Sequence, residues 1–146
     1  GEKNAIIIMA NIKEIQEEII EEFNMFDSWI DKYEYLIDMG KDLEAINDEH
    51  KIDDNLIKGC QSRVWLHAEC KNNKITFYAD SDAIMTRGIV ALLIRVLSNQ
   101  NSNDITNATL DFINTIGLKE QLSATRANGL VSMIKKMKLY ALALNK

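Results

Sequence analysis

The chain has 146 residues, and 17 Lys and Arg against 22 Asp and Glu give a formal charge of −5 with both histidines neutral. A chain of this length buries roughly 70% of its unfolded surface on folding, and its 47% hydrophobic content fills a core without help from disulfides, metal or a partner. The negative charge, with no basic run longer than Lys135-Lys136, argues against a nucleic-acid or anionic-membrane surface, because both need clustered Lys and Arg, and points to a protein or small-molecule partner.

Met9 is a candidate native start, which makes residues 1–8 a tag or upstream remnant and residues 9–146 one domain. The chain has no proline, so helix ends are read from Gly, Asn and Asp. From Asn11 to Asn24, Ile12, Ile15, Ile19, Ile20 and Phe23 recur at helical spacing against a Lys- and Glu-rich face, which predicts an amphipathic surface helix. Asp27 or Ser28 caps a second helix with Trp29, Ile30, Tyr33, Leu36 and Ile37 on one stripe, ended by Gly40 in the left-handed conformation. Lys41 to Gly59 is polar and aperiodic, and reads as a long ordered loop pinned by Leu43, Ile46, Ile52, Leu56 and Ile57. Such loops are uncommon unless functional.

Val64–Glu69 and Ile75–Ala79 are rich in β-branched and aromatic residues, and Lys71-Asn72-Asn73-Lys74 supplies two asparagines that tolerate positive φ. An antiparallel hairpin is expected here. Ser81 or Asp82 caps a third helix that runs to about Leu97 and is apolar almost all round, hence central and buried. Asn103–Ile116 holds one or two short helices stopped by Gly117. Ser123 then caps a last helix with Leu130, Met133, Ile134, Met137 and Ala141 on its stripe, and Lys135, Lys136 and Lys138 suit the dipole near its end. The fold class is α+β: mostly helical, with a small antiparallel sheet.

Cys60 and Cys70 are too few for a disulfide framework or a four-thiolate metal site, and indicate a reducing, cytoplasmic compartment. The longest uncharged apolar run, Gly88–Ile94, is far short of the roughly 20 residues that span a bilayer. Nine residues separate the cysteines, and adding His50 and His67 gives no zinc spacing, so no metal site is expected.

Cys60 is the most reactive side chain in Gly59-Cys60-Gln61-Ser62-Arg63. Gly59 permits a tight turn that projects the thiol, and Gln61, Ser62 and Arg63 offer donors or positive charge that favour a thiolate. The competing reading of Cys60 is a small buried hydrophobe. Cys70, at a strand end, reads as inert. A Cys–His hydrolase needs a base within reach of the thiol, and His67, seven residues on in the hairpin, has no return path to the loop. His67 is expected to pack or face solvent, and His50 to lie at the surface.

An ordered set of segments resembles the SufE family of sulfur-acceptor proteins. They are Tyr33-Glu34-Tyr35-Leu36-Ile37-Asp38-Met39-Gly40, Asp53-Asp54-Asn55, Gly59-Cys60-Gln61-Ser62-Arg63-Val64-Trp65-Leu66, Asp80-Ser81-Asp82-Ala83, Arg87-Gly88-Ile89-Val90-Ala91-Leu92-Leu93 and Leu122-Ser123-Ala124-Thr125-Arg126-Ala127-Asn128-Gly129-Leu130. The resemblance implies a fold similar to the IscU scaffold, with helices on one face of a three-stranded antiparallel sheet. It also implies that Cys60 takes persulfide sulfur from a SufS-type cysteine desulfurase, stimulates that enzyme and passes sulfur to a SufBCD-type scaffold for iron–sulfur assembly.

In this reading the chain is an accessory protein, monomer or homodimer, with no cofactor of its own, because the pyridoxal group belongs to the desulfurase. Gly59, Gln61 and Ser62 support the loop, and Asp82 and Arg126 match family positions near the loop and partner surface, although Asp82 equally suits a helix cap and Arg126 a surface ion pair with Glu120 or Asp82. Gln121 departs from the histidine many members carry before the Leu-Ser/Thr motif. An IscU-like binding scaffold and a cysteine-dependent hydrolase are the alternatives; two cysteines fall short of the three that hold a scaffold's cluster.

Overall fold

The computed structural model describes residues 11–145, so the candidate start at Met9 and the segment 1–8 lie outside the described residues. Helix α1, Ile12–Asn24, begins with a capping box: Asn11 Oδ1 accepts from Glu14 N at 2.8 Å, and Glu14 Oε1 accepts from Asn11 N at 3.0 Å. Its buried side chains are Ile12, Ile19 and Phe23, with Ile15 and Ile20 packed at the margin.

Helix α2, Trp29–Lys41, is capped by Ser28, whose hydroxyl accepts from Asp31 N. It does not end at Gly40. The helix continues to Lys41 with Asp42 at its C-terminus, and Gly40 keeps helical geometry. That glycine serves a close approach instead, described with α3 below.

Strands β1, Val64–Lys71, and β2, Lys74–Ser81, pair antiparallel from Val64↔Ser81 to Lys71↔Lys74. Asn72 and Asn73 make the turn at φ 54° and 64°, the left-handed pair that a two-residue hairpin needs. Among the described residues the sheet has two strands, not the three that the resemblance implies. Each outer edge carries one isolated bridge, Leu56↔Trp65 and Ile75↔Gln100. The first cannot extend, because a 3-10 turn, Asp53–Asn55, ends just before Leu56 and the chain swings away at Gly59 just after it.

Val64, Leu66, Ala68, Ile75, Phe77 and Ala79 form the inner face of the sheet and join the core. Trp65, His67 and Glu69 alternate to the outer face. The 42–59 segment is ordered as expected, with Ile46 and Ile57 buried, but Ile52 is 48% exposed and pins nothing.

Helix α3, Ile84–Leu97, is the central helix, with nine buried residues. Neither Ser81 nor Asp82 caps it: Ala83 holds the N-cap position without a side-chain bond, while Ser81 Oγ accepts from Ala83 N. At the crossing of α2 and α3, Gly40 faces Gly88. A Cβ on Gly88 would lie 2.4 Å from the Leu36 carbonyl oxygen, and one on Gly40 2.7 Å from Gly88 N.

Arg95 of α3 grips Glu22 of α1 through two bonds of 2.6 Å and reaches Glu18 at 3.0 Å. Tyr35 of α2 donates to Glu22 as well. The Arg95 bonds hold the Glu22 carboxyl below its ordinary range against the upward push of burial, and Tyr35 adds to the lowering.

Short helices α4, Ser102–Asn107, α5, Phe112–Ile116, and α6, Leu118–Gln121, follow, with Gly117 at φ 76° between the last two. Helix α7, Ala124–Ala143, is capped by Ser123, which accepts from Arg126 N at 3.2 Å. It runs past its lysines, so they do not occupy its last turn; Lys138 instead donates to the Ala108 carbonyl at 2.7 Å. No helix among the described residues is long and apolar enough to cross a membrane.

Candidate functional site

The 42–59 segment enters β1 through Gly59-Cys60-Gln61-Ser62-Arg63. Gly59 takes φ 93°, and a Cβ there would lie 2.5 Å from Ser132 Oγ, so the loop rests its tip directly on α7. Cys60 Sγ then donates to the Gly129 carbonyl at 3.7 Å. Gly129 is buried in α7, and a Cβ on it would come within 3.3 Å of the sulfur. A helix-interior glycine thus makes room for the thiol.

Beside the sulfur lies a cavity of about 20 Å³, bounded by Gln61, Ser62, Thr86 at the start of α3, and Thr125, Arg126 and Met133 of α7. That volume admits about one water-sized group. The cover over Cys60 thus comes from α7 and α3, and Ile57 and Val64, which flank the loop, are spent in the core.

Asp82 holds the other end of the loop. Its Oδ1 accepts from Arg63 N at 3.0 Å while its own N–H donates to the Arg63 carbonyl at 3.3 Å, prolonging the hairpin pairing by one residue. Asp82 thus bonds Arg63 on both sides and does not cap α3. Arg126 is exposed, bounds the same cavity, and pairs with neither Glu120 nor Asp82 among the described residues.

Cys60, Gln61, Ser62 and Arg126 are therefore brought to one cavity, Gly59 seats the loop, and Asp82 acts on it through Arg63. Thr86, Thr125, Gly129, Ser132 and Met133 escaped the sequence reading as site residues. Only Gly129 left a signal, a glycine inside a helix that costs about 1 kcal/mol against alanine and so calls for a packing reason.

Cys60 is half-buried, and burial pushes its thiol pKa up. The donors in the loop do not create a resting thiolate, contrary to expectation: desolvation disfavours the anion. Iodoacetamide at pH 7.5 should accordingly react more slowly with Cys60 in the folded chain than in the urea-unfolded chain, and the folded rate should keep climbing with pH after the unfolded rate has levelled. Coincident pH–rate curves would contradict this. The same raised value makes the Cys60 contribution to stability present below the unfolded thiol's pKa and lost as pH rises through the folded one.

Neither histidine bounds this cavity. His50 and His67, the only two in the chain, stack on each other at 3.6 Å on the outer face of the sheet. A Cys–His hydrolase lacks its base here. Both are part-buried rather than open to solvent. Cys70 is exposed at the opposite end of β1.

A SufE family model, described as an Fe-S metabolism associated domain, matches residues 17–141. The chain belongs to the SufE family. An uncharacterized SufE-like protein of Rhizobium meliloti is 39% identical over 127 residues, which span 84% of this chain and 91% of that relative. The sulfur acceptor protein CsdE of Escherichia coli is 36% identical over 110 residues, 74% of this chain and 75% of CsdE. In three dimensions, the solution structure of a hypothetical protein from Thermus thermophilus superposes with a TM-score of 0.75 at 15% identity, covering 89% of this chain and 95% of that one. That likeness bears on the fold alone, and with it the α+β architecture of the SufE-like chain stands.

Proposed function

We propose that this SufE-family chain is a cytoplasmic sulfur acceptor in which Cys60 takes the terminal sulfur of a persulfide on a SufS-type cysteine desulfurase, stimulating that enzyme. It then delivers the sulfur to a SufBCD-type scaffold for iron–sulfur assembly. One observation carries this reading. A single thiol stands in a shaped loop beside a one-atom cavity with no histidine next to it, which suits thiol–persulfide exchange and does not suit acid–base hydrolysis.

In the transfer step, the Cys60 thiolate attacks the outer sulfur of the desulfurase Cys–S–S⁻ group. A new S–S bond forms on Cys60, the old one breaks, and the desulfurase cysteine departs as thiolate. No net oxidation occurs, so no redox cofactor is required of this chain. The exchange needs the thiolate, whereas burial favours the resting thiol. Docking that swings the loop at Gly59 and exposes Cys60 would supply the anion where it is used.

The surface around the loop fits a protein partner. Exposed Arg126 offers a two-pronged donor for a partner carboxylate, and Ile84, on the same first turn of α3 as Thr86, is 65% exposed. Mass spectrometry after incubation with desulfurase and cysteine tests the proposal: one added sulfur on the Cys60 peptide supports it, and an unmodified Cys60 under turnover overturns it.

Arg126→Ala should weaken desulfurase binding by about tenfold in calorimetry, ~1.4 kcal/mol, with the melting temperature unchanged, because the side chain has no ion-pair partner among the described residues to lose. Arg126→Lys should also weaken it, since the ammonium lacks the planar fork. Unchanged affinity with lowered melting would show that Arg126 is structural.

A further inference from the structure

Both histidines of this chain stand outside the Cys60 site, yet they do not lie apart. His50 ends a 3-10 turn, Asp48–His50, and His67 sits in the middle of β1. Their rings stack with centroids 3.6 Å apart and planes 9° apart. Glu69 follows His67 by two residues and shares its face of the strand, with Oε2 3.0 Å from His67 Nε2. One nitrogen of each ring and one Glu69 oxygen all lie within 4.8 Å of one another. Glu49 Oε1 adds a second carboxylate 3.7 Å from His50 Nε2.

Two imidazoles and a carboxylate are the donor set of open zinc sites, and nitrogen donors select borderline transition metals over calcium or magnesium. Tetrahedral bonds of about 2.0–2.1 Å place neighbouring donors about 3.4 Å apart. His67 Nε2 and Glu69 Oε2, hydrogen-bonded at 3.0 Å, lie within about half an ångström of that spacing. Parallel rings aim their lone pairs side by side, so the His50 and His67 rings must turn to converge; these side chains are 27% and 20% exposed. The backbone of His50 is meanwhile held in place, because Asn55 Nδ2 donates to its carbonyl at 2.8 Å, and the Tyr140 hydroxyl, within hydrogen-bond reach of both Asn55 Oδ1 at 3.1 Å and the Leu66 carbonyl at 2.8 Å, donates its one proton to either.

We propose that His50, His67 and Glu69 form a binding site for a zinc-type divalent transition metal, with water in the remaining position. The bound ion fastens the 42–59 segment, which leads into the Cys60 loop, to the outer face of β1. This inference is independent of sulfur transfer.

Zinc titration of the full chain carrying Cys60→Ser and Cys70→Ser tests it, the cysteines being removed because thiolates bind zinc themselves. Calorimetry should give one saturable Zn²⁺ per chain, Mg²⁺ should give no heat, and amide exchange over 47–57 should slow when zinc is added. His50→Gln and His67→Gln should each lower the affinity more than about tenfold, with the metal-free fold checked by circular dichroism. Glu69→Gln, at an exposed strand position, should do the same and leaves the ring stack intact if either histidine variant misfolds. Absence of zinc binding in the cysteine-free chain, or undiminished binding in the folded variants, would overturn the proposal and leave the histidines as a packing contact.

Discussion

Cys60→Ser should abolish both sulfur uptake and stimulation of the desulfurase, while Cys70→Ser leaves both near wild type. The reason lies in the bond to be made: a hydroxyl oxygen cannot form a persulfide, and no other group at the site is a nucleophile toward sulfur. Cys70 complicates a simple labelling experiment, because it is exposed and can collect sulfur released into solution. Sulfide release and alanine formation by the desulfurase are therefore measured alongside mass spectrometry. In Cys60→Ser, any sulfur found on Cys70 should come without rate enhancement. Enhancement retained in Cys60→Ser would defeat the sulfur-acceptor reading, and loss confined to Cys70→Ser would move the acceptor to the other thiol. The variant should fold, since serine is close in size to cysteine and the cavity beside Sγ is already polar on the Ser62, Thr86 and Thr125 side.

Many local features of this fold were legible from short-range rules, with Gly40 and the cap of α3 as the exceptions. The stripe of α1, the serine caps of α2 and α7, the paired asparagines of the hairpin and the helix stop at Gly117 each follow from residues within a few positions of one another. Cys60 stood out because its loop is polar and its neighbours are Gly59 and Ser62. What could not be read is what arrives from far along the chain. Asp82 satisfies the ordinary preferences of a helix cap, and only the register of β1 on β2 shows that it faces Arg63 instead. The floor beneath Cys60 comes from residues more than 60 positions later. The meeting of His50 and His67 depends on an aperiodic segment folding back over a strand, which no periodicity encodes. The third strand that the resemblance implied is not found among the described residues: Leu56 makes one bridge to Trp65, and the turns on either side limit it to that.

Gly88→Ala should lower the stability of the chain by about 2 kcal/mol or more, although alanine is the better helix former. Replacing glycine inside a helix ordinarily gains about 1 kcal/mol from propensity. Here the added Cβ would stand 2.4 Å from the Leu36 carbonyl oxygen and 2.8 Å from its carbon. Carbon–oxygen contacts settle at about 3.3–3.6 Å, so α2 and α3 must part by roughly an ångström. Both partners in the clash are backbone, which no rotamer change relieves, and Leu36, Ile89 and Leu92 at this crossing are fully buried. Overpacking of a core costs about 1–3 kcal/mol and more where the backbone must move, which outweighs the propensity gain. For a chain of this length the loss corresponds to a melting temperature lower by roughly 5–10 °C. A raised melting temperature would show that the two helices separate freely and that the glycine pair is incidental. The displacement should also reach the site, because Gly88 lies two residues beyond Thr86, which bounds the Cys60 cavity. The alkylation rate of Cys60 in folded Gly88→Ala, measured well below the melting transition, should therefore differ from wild type, and an unchanged rate would show that the displacement stops short of the site.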